Sequence, residues 1–287
     1  MKRVLPLTAL LALSLSGLTA CGGGNKANTI QNKGSDTLVN VALAWAEQYG
    51  KVNPECTVAV TGGGSGTGIS AMINGTVDIA NASRAMKDSE RKLANDKGIN
   101  PVEHTVGFDA LAVFVHKDNP IESITVKQLA QIYGDEGTLV SWSQLGVTMP
   151  EGASDEIIRI SRQNNSGTYV YVRDFVLGKE GKYKLGSRDL HGSKDVVEAC
   201  ETIPSAIGYS GLAYATDHVK MVPVSFQGKP AVAPSVETAM DGTYPIARPL
   251  LMYTVGEPEG LVKEYMDWIM SEAGQAIIKD KGYAPVQ

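Results

Sequence analysis

Three short segments of the sequence combine glycine with serine or threonine where a helix is expected to begin. They are GSDT at 34–37, TGGGSGTG at 61–68 and SGT at 166–168. Each would supply free backbone N–H groups at the positively polarised start of a helix, together with hydroxyl groups. A small oxyanion is bound well by such donors. The candidate binding residues in these segments are Ser35, Asp36, Thr37, Ser65, Gly66, Ser166, Gly167 and Thr168.

Two arginines lie close to these segments in the sequence. Arg162 precedes Ser166 by four residues and could add bidentate, charge-assisted hydrogen bonds to an oxyanion. Arg84 follows Ser83 in the segment that comes after the short predicted strand 77–80. Arg84 could be a second cation of the site or could pair with a surface acid; we favour a place in or beside the site. Ser83, Arg84 and Arg162 complete the candidate set.

The spacing of the glycines excludes three familiar catalytic or nucleotide-binding motifs. No lysine follows Gly68, as a P-loop would require, and neither Gly62 nor Gly64 starts a dinucleotide fingerprint. Ser65 has Gly63 before it but Thr67 after it, so it does not form a nucleophile elbow. The four histidines show no metal-ligand spacing. We therefore predict a binding protein with no metal, no cofactor and no catalytic residue.

The elements that would position these segments alternate between strands and helices. This alternation predicts an α/β fold with mainly parallel pairing, in which loops at the carboxyl ends of strands gather around a ligand. An amphipathic helix is predicted over 36–51, with Ser35 or Asp36 as its cap. Further helices are predicted at 69–74, 88–96, 126–133, 169–176, 193–202 and 259–279, and strands at 57–61, 77–80, 110–116, 156–161, 208–209, 219–224 and 247–253.

The N-terminal segment has the pattern of an export signal. Lys2 and Arg3 precede a mostly apolar run over 4–18, and small residues lead to Cys21. The end of this segment is similar to the lipobox of bacterial lipoproteins, in which the cysteine becomes lipidated, for example with palmitate. The alternative is an ordinary signal with a chance cysteine. We predict a signal peptide over 1–20 and a flexible tether over 21–28, which contains no large apolar side chain.

Charge and cysteine content narrow the possibilities further. The net charge of −5 argues against a nucleic-acid partner, which usually meets a basic face. The length beyond the signal is sufficient for two domains. Cys56 and Cys200 could form a disulfide in an exported protein, or could equally be buried thiols.

Taken together, the export signal, the segments 34–37, 62–68 and 78–84, and the element R-x-x-x-SGT at 162–168 resemble the phosphate-binding proteins that serve ABC transporters. The segments 107–116, 125–133 and 244–248 extend the likeness through most of the chain. The resemblance implies two α/β lobes joined by crossover strands that form a hinge. Lobe one would comprise 29–108 and 247–287, and lobe two 109–246.

The resemblance also implies a function: a monomeric lipoprotein on the bacterial cell envelope, facing the periplasm or the exterior, that delivers phosphate to an ABC permease. One position departs from the family pattern. Better-known members have an Asp that accepts the proton of bound phosphate, and here the matching residue is Arg84. We take Asp36 as the substitute acceptor; its alternative role is the helix cap. Because of this departure, the protein could instead be a receptor for sulfate or another oxyanion. Two alternatives come from other classes of protein: a secreted phosphatase-like enzyme, and a lipoprotein used in signalling or adhesion.

Overall fold

The computed structural model describes residues 28–286, so the predicted signal segment and Cys21 lie outside the described residues. The predicted strands are present with shifts of a few residues at their ends, except that 110–116 is only the second part of a longer strand; the strands at 29–34, 124–125 and 188–190 were not predicted. They are β1 (Thr29–Gly34), β2 (Thr57–Thr61), β3 (Ile79–Ala82), β4 (Pro101–His116), β5 (Ile124–Thr125), β6 (Ile158–Arg162), β7 (Arg188–Leu190), β8 (Ala206–Gly211), β9 (Val219–Val222), β10 (Val224–Ser225) and β11 (Ala247–Val255).

Most of the helices also agree with the sequence pattern. They are α1 (Val39–Val52), α2 (Ser65–Ile73), α3 (Asp88–Asp96), α4 (Val126–Tyr133), α5 (Gly167–Val172), α6 (Ser193–Thr202), α7 (Val236–Met240), α8 (Gly260–Ile269) and α9 (Glu272–Asp280). Two predictions were wrong. Helix α2 begins four residues before the predicted range 69–74, inside the segment 61–68 where a helix start was expected, because Gly and Ser are weak helix formers and make its first turn hard to recognise. The long C-terminal helix is divided at Ser271, whose side chain accepts the Gly274 N–H and caps α9.

A nine-stranded mixed sheet runs through the molecule in the order β2-β1-β3-β11-β4-β8-β6-β7, with β9 also paired to β4. The outer strands are parallel: β2, β1 and β3 on one side, and β8, β6 and β7 on the other. The central strands are antiparallel, since β11 opposes both β3 and β4, and β4 opposes β8 and β9. The prediction of mainly parallel pairing was therefore correct for the outer strands and wrong for the central strands.

Strand β4 belongs to both halves of this sheet. Its residues 101–110 pair with β11, whereas residues 111–116 pair with β8 and β9. The sequence pattern predicted only its second part, because Glu103, His104 and Asp109 interrupt the apolar run. Each half has its own apolar clusters: those around Trp45 and Ile69 lie in the first half, and those around Trp142 and Ile160 in the second. The predicted two-lobed α/β class is confirmed.

The two described cysteines lie in different halves. Cys56 is part of the Trp45 cluster and Cys200 of the Ile160 cluster, and both are buried free thiols. The disulfide alternative is therefore wrong for this pair. Between residues 28 and 286, no helix has the length and apolar character that a bilayer crossing would need.

Candidate functional site

Four loops meet beside the central strands β4 and β11. Three of them follow the parallel strands β1, β2 and β3, whose carboxyl ends share one edge of the sheet. The fourth follows β6 in the second half and leads into α5. The loops bring the predicted residues of both halves together, including the three glycine- and hydroxyl-rich segments.

Five buried hydroxyl groups form the centre of this site. Ser35 Oγ donates to Ser83 Oγ at 2.9 Å, and Ser65 Oγ lies 3.4 Å from Ser83 Oγ. Thr37 Oγ1 and Thr168 Oγ1 lie 3.2 Å apart and connect the first half to the second. Each hydroxyl has one proton that can rotate between partners. The group can therefore exchange its internal hydrogen bonds for bonds to an anion.

Close backbone contacts hold the two halves together around the hydroxyl groups. The Gly66 N–H donates to the Asn165 carbonyl at 3.0 Å, and the Asn165 side-chain amide donates to the Gly63 carbonyl at 3.0 Å. A Cβ atom on Gly167 would lie 2.5 Å from Ser83 Oγ and 3.0 Å from Ser65 Cβ. Position 167 therefore requires glycine, because Ser65 and Ser83 lie too close to leave room for a side chain. Asn165 was missed from the sequence, where nothing distinguished it from its polar neighbours.

Arg162 is buried and fully engaged with protein groups. It donates to Asp36 Oδ2 at 3.0 Å, to Ser193 Oγ at 3.0 Å and to the His191 carbonyl. Burial lowers the pKa of Arg162, and the Asp36 carboxylate acts in the opposite direction. The guanidinium nevertheless stays protonated, since its ordinary pKa is far above neutrality. Arg162 therefore contributes a fixed positive charge beside the hydroxyl groups.

Asp36 is not the helix cap that was its alternative role. Its Oδ1 accepts the Gly63 N–H at 2.8 Å while its Oδ2 accepts from Arg162. Neither Asp36 nor Ser35 makes a side-chain capping bond to the helix that follows. The prediction that one or the other of these side chains caps the helix was wrong, because the Asp36 carboxylate connects the glycine-rich loop to Arg162 and the Ser35 hydroxyl donates to Ser83. Ser166, by contrast, does cap α5 and accepts the Thr168 and Tyr169 N–H groups.

Arg84 lies beside the site and is paired with an acid. Its two terminal nitrogens donate to the Glu90 carboxylate at 2.8 and 2.7 Å, and its side chain is 6% exposed. Its Nη2 would lie 3.6 Å from a Cβ placed on Gly66. The sequence left two alternatives for Arg84, a second cation of the site and pairing with an acid, and its position agrees in part with each. Whether Arg84 or the other residues of the set contact an anion stays a prediction.

Arg248 is a central residue that sequence reasoning did not include among the candidates. Its Nη2 donates to Thr37 Oγ1 at 3.2 Å, to Thr168 Oγ1 at 3.0 Å and to Asp109 Oδ2 at 2.8 Å. Burial raises the pKa of Asp109, and Arg248 opposes that rise. The sequence did contain a signal for this buried pair: Asp109 lies in the apolar segment FDALAV, and Arg248 lies in the apolar segment YPIARPL. Such residues are seldom buried unless they are paired.

The charges of the site balance. Three buried or nearly buried arginines each face one carboxylate: Arg84 with Glu90, Arg162 with Asp36, and Arg248 with Asp109. Attraction for an anion therefore depends on oriented hydrogen-bond donors and on the nearby guanidinium groups rather than on excess charge. In the part of the chain that the structure describes, no group of three or more His, Cys, Asp or Glu side chains is arranged to hold a metal ion.

A two-lobed sheet with crossover strands and a donor-rich site between its halves defines a protein of the periplasmic-binding-protein class. Comparison with known proteins agrees. Residues 20–273 match the model of the PBP superfamily domain PBP_like_2. The phosphate-binding protein PstS of Pseudomonas aeruginosa is 33% identical over 269 residues, covering 90% of this chain and 83% of the relative. PstS of Bacillus subtilis is 30% identical, covering 99% of this chain and 95% of the relative.

Solved structures give the same result. A putative phosphate ABC transporter substrate-binding protein with bound phosphate from Clostridium perfringens superposes with a TM-score of 0.80 at 27% identity, covering 91% of this chain and 100% of that one. An ABC-type phosphate transport receptor from Vibrio cholerae gives 0.70 at 25% identity, covering 89% of this chain and 99% of that one. The chain belongs to the PBP superfamily and, within it, to the PstS family of phosphate-binding proteins. This is a family of substrate-binding transport proteins, so the phosphatase-like alternative is not supported.

Proposed function

We propose that the protein binds inorganic phosphate between its two halves and delivers it to an ABC permease for import. The observation that carries this proposal is the group of buried hydroxyls from both halves, Ser35, Ser65, Ser83, Thr37 and Thr168, beside paired arginines. Phosphate offers several acceptor lone pairs in a small volume, so it can replace the bonds that these hydroxyls make to one another. The relatives named above are phosphate-binding proteins, which supports the same ligand.

Each predicted residue has a role consistent with its contacts. Arg162 and Arg84 supply positive charge at the rim of the hydroxyl group, and Ser166 retains its proton for donation because its oxygen already accepts two N–H groups. Gly167 permits close approach of the second half. Gly66 already gives its N–H to Asn165, so it contributes to closure more than to direct binding. Asp36 holds Arg162, and its remaining lone pairs could accept the phosphate proton.

Two lobes with the predicted boundaries, 29–108 with 247–287 and 109–246, would close on the ligand. The support is the pairing of β4, which changes from β11 to β8 between residues 110 and 111. In this proposal the chain crosses between the halves at Asp109 in one direction and at Ala247 in the other. Hinge closure of this type encloses ligands in periplasmic binding proteins.

Selectivity for phosphate over sulfate is the direct test of the ligand. Phosphate near neutral pH carries a proton that an acceptor can bind, whereas sulfate does not, so the carboxylate of Asp36 should favour phosphate. Titration calorimetry on the chain that starts after Cys21 should show tight one-to-one binding of phosphate and little heat with sulfate. Equal affinity for the two anions would favour a general oxyanion receptor and contradict the role given to Asp36.

The N-terminal segment would attach the protein to the bacterial cell envelope. The proposal is that Cys21 carries a lipid, with palmitate as one acyl chain, and that the tether over 21–28 leaves the binding domain free as a monomer facing the periplasm or the exterior. Its support is the sequence pattern described above. Cys21→Ala should move the protein from the membrane fraction to the soluble fraction, and light scattering should give the mass of one chain. Retention of this variant in membranes would contradict lipid attachment at Cys21.

A further inference from the structure

Arg248 and Asp109 form an ion pair at the point where the chain crosses between the halves. The two residues are direct partners in the register of β11 and β4. Two positions further along β4, Leu111 already pairs with Gly211 of β8 in the second half. Arg248 is 1% exposed and Asp109 is fully buried. The pair is thus part of the crossover that the proposed closure would bend.

The guanidinium of Arg248 reaches from this crossover to both sides of the site. Its Nη2 donates to Thr37 of the first half and to Thr168 of the second, and its Nη1 donates to the Ser83 carbonyl at 3.3 Å. Nη2 has two N–H groups and a guanidinium has no acceptor, so with one N–H directed at Asp109 the two threonine oxygens accept the other between them. Their own protons are then directed away from Arg248. When an anion replaces the bond between the two threonines, both hydroxyls are aligned as donors.

Asp109 holds Arg248 in this position. A single oxygen, Oδ2, accepts from Nε at 3.1 Å and from Nη2 at 2.8 Å. A buried guanidinium without a partner would be strongly destabilising, so the carboxylate is needed for the arginine to be present at all. This carboxylate also cancels the charge that would otherwise attract an anion. Its position therefore indicates a geometric role rather than an electrostatic one.

We propose that Arg248, held by Asp109, is a positioning residue for phosphate: it orients the hydroxyls of Thr37 and Thr168 as donors and links their alignment to the crossover strands. The proposal rests on phosphate binding as the function. Arg248→Lys keeps a buried positive charge opposite Asp109 but lacks the planar guanidinium in which Nε holds Asp109 while Nη2 also reaches both threonines. It should weaken phosphate binding about tenfold or more, the size of effect expected for losing a hydrogen bond to a charged group.

The mechanism predicts coupling between Arg248 and Thr168. If Arg248 acts through the Thr168 hydroxyl, the double variant Arg248→Lys with Thr168→Val should bind at least about fivefold better than the product of the single losses predicts. Independent, multiplicative losses would overturn the proposal. Arg91→Lys is the matched control, because Arg91 pairs with Glu103 of the same strand β4 at 3.1 Å but is 40% exposed and makes no hydrogen bond to the five hydroxyls. Its phosphate affinity should equal that of the wild type.

The variant Asp109→Asn tests the same mechanism, because the two explanations predict opposite changes in phosphate affinity. It also provides a test if Arg248→Lys does not fold. The variant makes the site more positive, so simple charge attraction predicts tighter phosphate binding. Loss of the anchor for Arg248 predicts weaker binding, and this is the result we expect; tighter or unchanged binding would overturn the proposal. Titration of the wild type with phosphate distinguishes failure of the proposed function from failure of the role given to Arg248. If the wild type does not bind phosphate, the proposed function fails, whereas wild-type binding with unaltered variants contradicts only the role of Arg248.

Discussion

Gly167 should control closure of the site without affecting the stability of the separate halves. It is the first residue of α5, and a Cβ there would lie 2.5 Å from Ser83 Oγ and 3.0 Å from Ser65 Cβ, with Ser65 Oγ closer still. Ordinary Cβ contacts begin near 3.4 Å. Gly167→Ala therefore requires either that the halves separate by a few tenths of an ångström or more, or that both serines rotate their hydroxyls out of the site.

Either response should weaken phosphate binding. Overpacking by one methyl group in a closely packed region costs about 1–3 kcal/mol. Since about 1.4 kcal/mol corresponds to a factor of ten, the dissociation constant should rise by about fivefold to about 150-fold. The unliganded variant should be about as stable as the wild type, because separation of the halves relieves the contact and the first position of α5 gains little of the up to about 1 kcal/mol by which Ala favours a helix interior over Gly.

Calorimetric titration of phosphate and thermal unfolding without phosphate would measure the two effects separately. Gly50→Ala is the matched control: Gly50 is also helical, lies in α1, and a Cβ there would meet no atom within 4 Å. That variant should keep wild-type affinity. Wild-type affinity in Gly167→Ala would refute the reasoning, because it would show that the bound state does not bring Gly167 against Ser65 and Ser83.

Three other perturbations test the charges and thiols of the structure. Asp36→Asn should weaken phosphate binding about tenfold in calorimetry, because Asp36 fixes both Arg162 and the Gly63 N–H; an unchanged affinity would be inconsistent with this role. Burial raises the pKa of Glu90, but hydrogen bonds from Arg84 and from the Lys87 backbone lower it more, so its net pKa is depressed below 4.5. A depressed carboxyl pKa stabilises the fold above the unfolded value and loses that contribution as the pH falls through the folded value. The advantage of the wild type over Glu90→Gln in urea unfolding should therefore shrink on going from neutral pH to about pH 3, and a constant difference would argue against the ion pair. Burial raises the pKa of Cys56 and raises that of Cys200 to about 12, so a thiol reagent should label neither until the protein unfolds; rapid labelling of the native protein would contradict their burial.

The sequence by itself determined the features that depend on neighbours along the chain. Strands at 57–61 and helices at 88–96, 126–133 and 193–202 follow from apolar periodicity and from caps such as Thr125, whose side chain accepts the Gln128 N–H. The donor-rich segments were recognisable for the same reason, since free N–H groups and hydroxyls at a helix start are local properties. Most residues of the candidate site were therefore identifiable before any contact between them was known.

Only the tertiary structure decided how the charges of the site are paired. Arg248 and Asp109 are separated by 139 residues in sequence, and Arg162 and Asp36 by 126. Their pairing depends on the register of β4 against β11 and on the approach of the two halves, neither of which appears in local periodicity. The same applies to Asp36, for which a capping role was plausible until Arg162 was placed beside it. Burial makes each of these arginines need a carboxylate partner, and the folded chain alone determines which carboxylate is near enough.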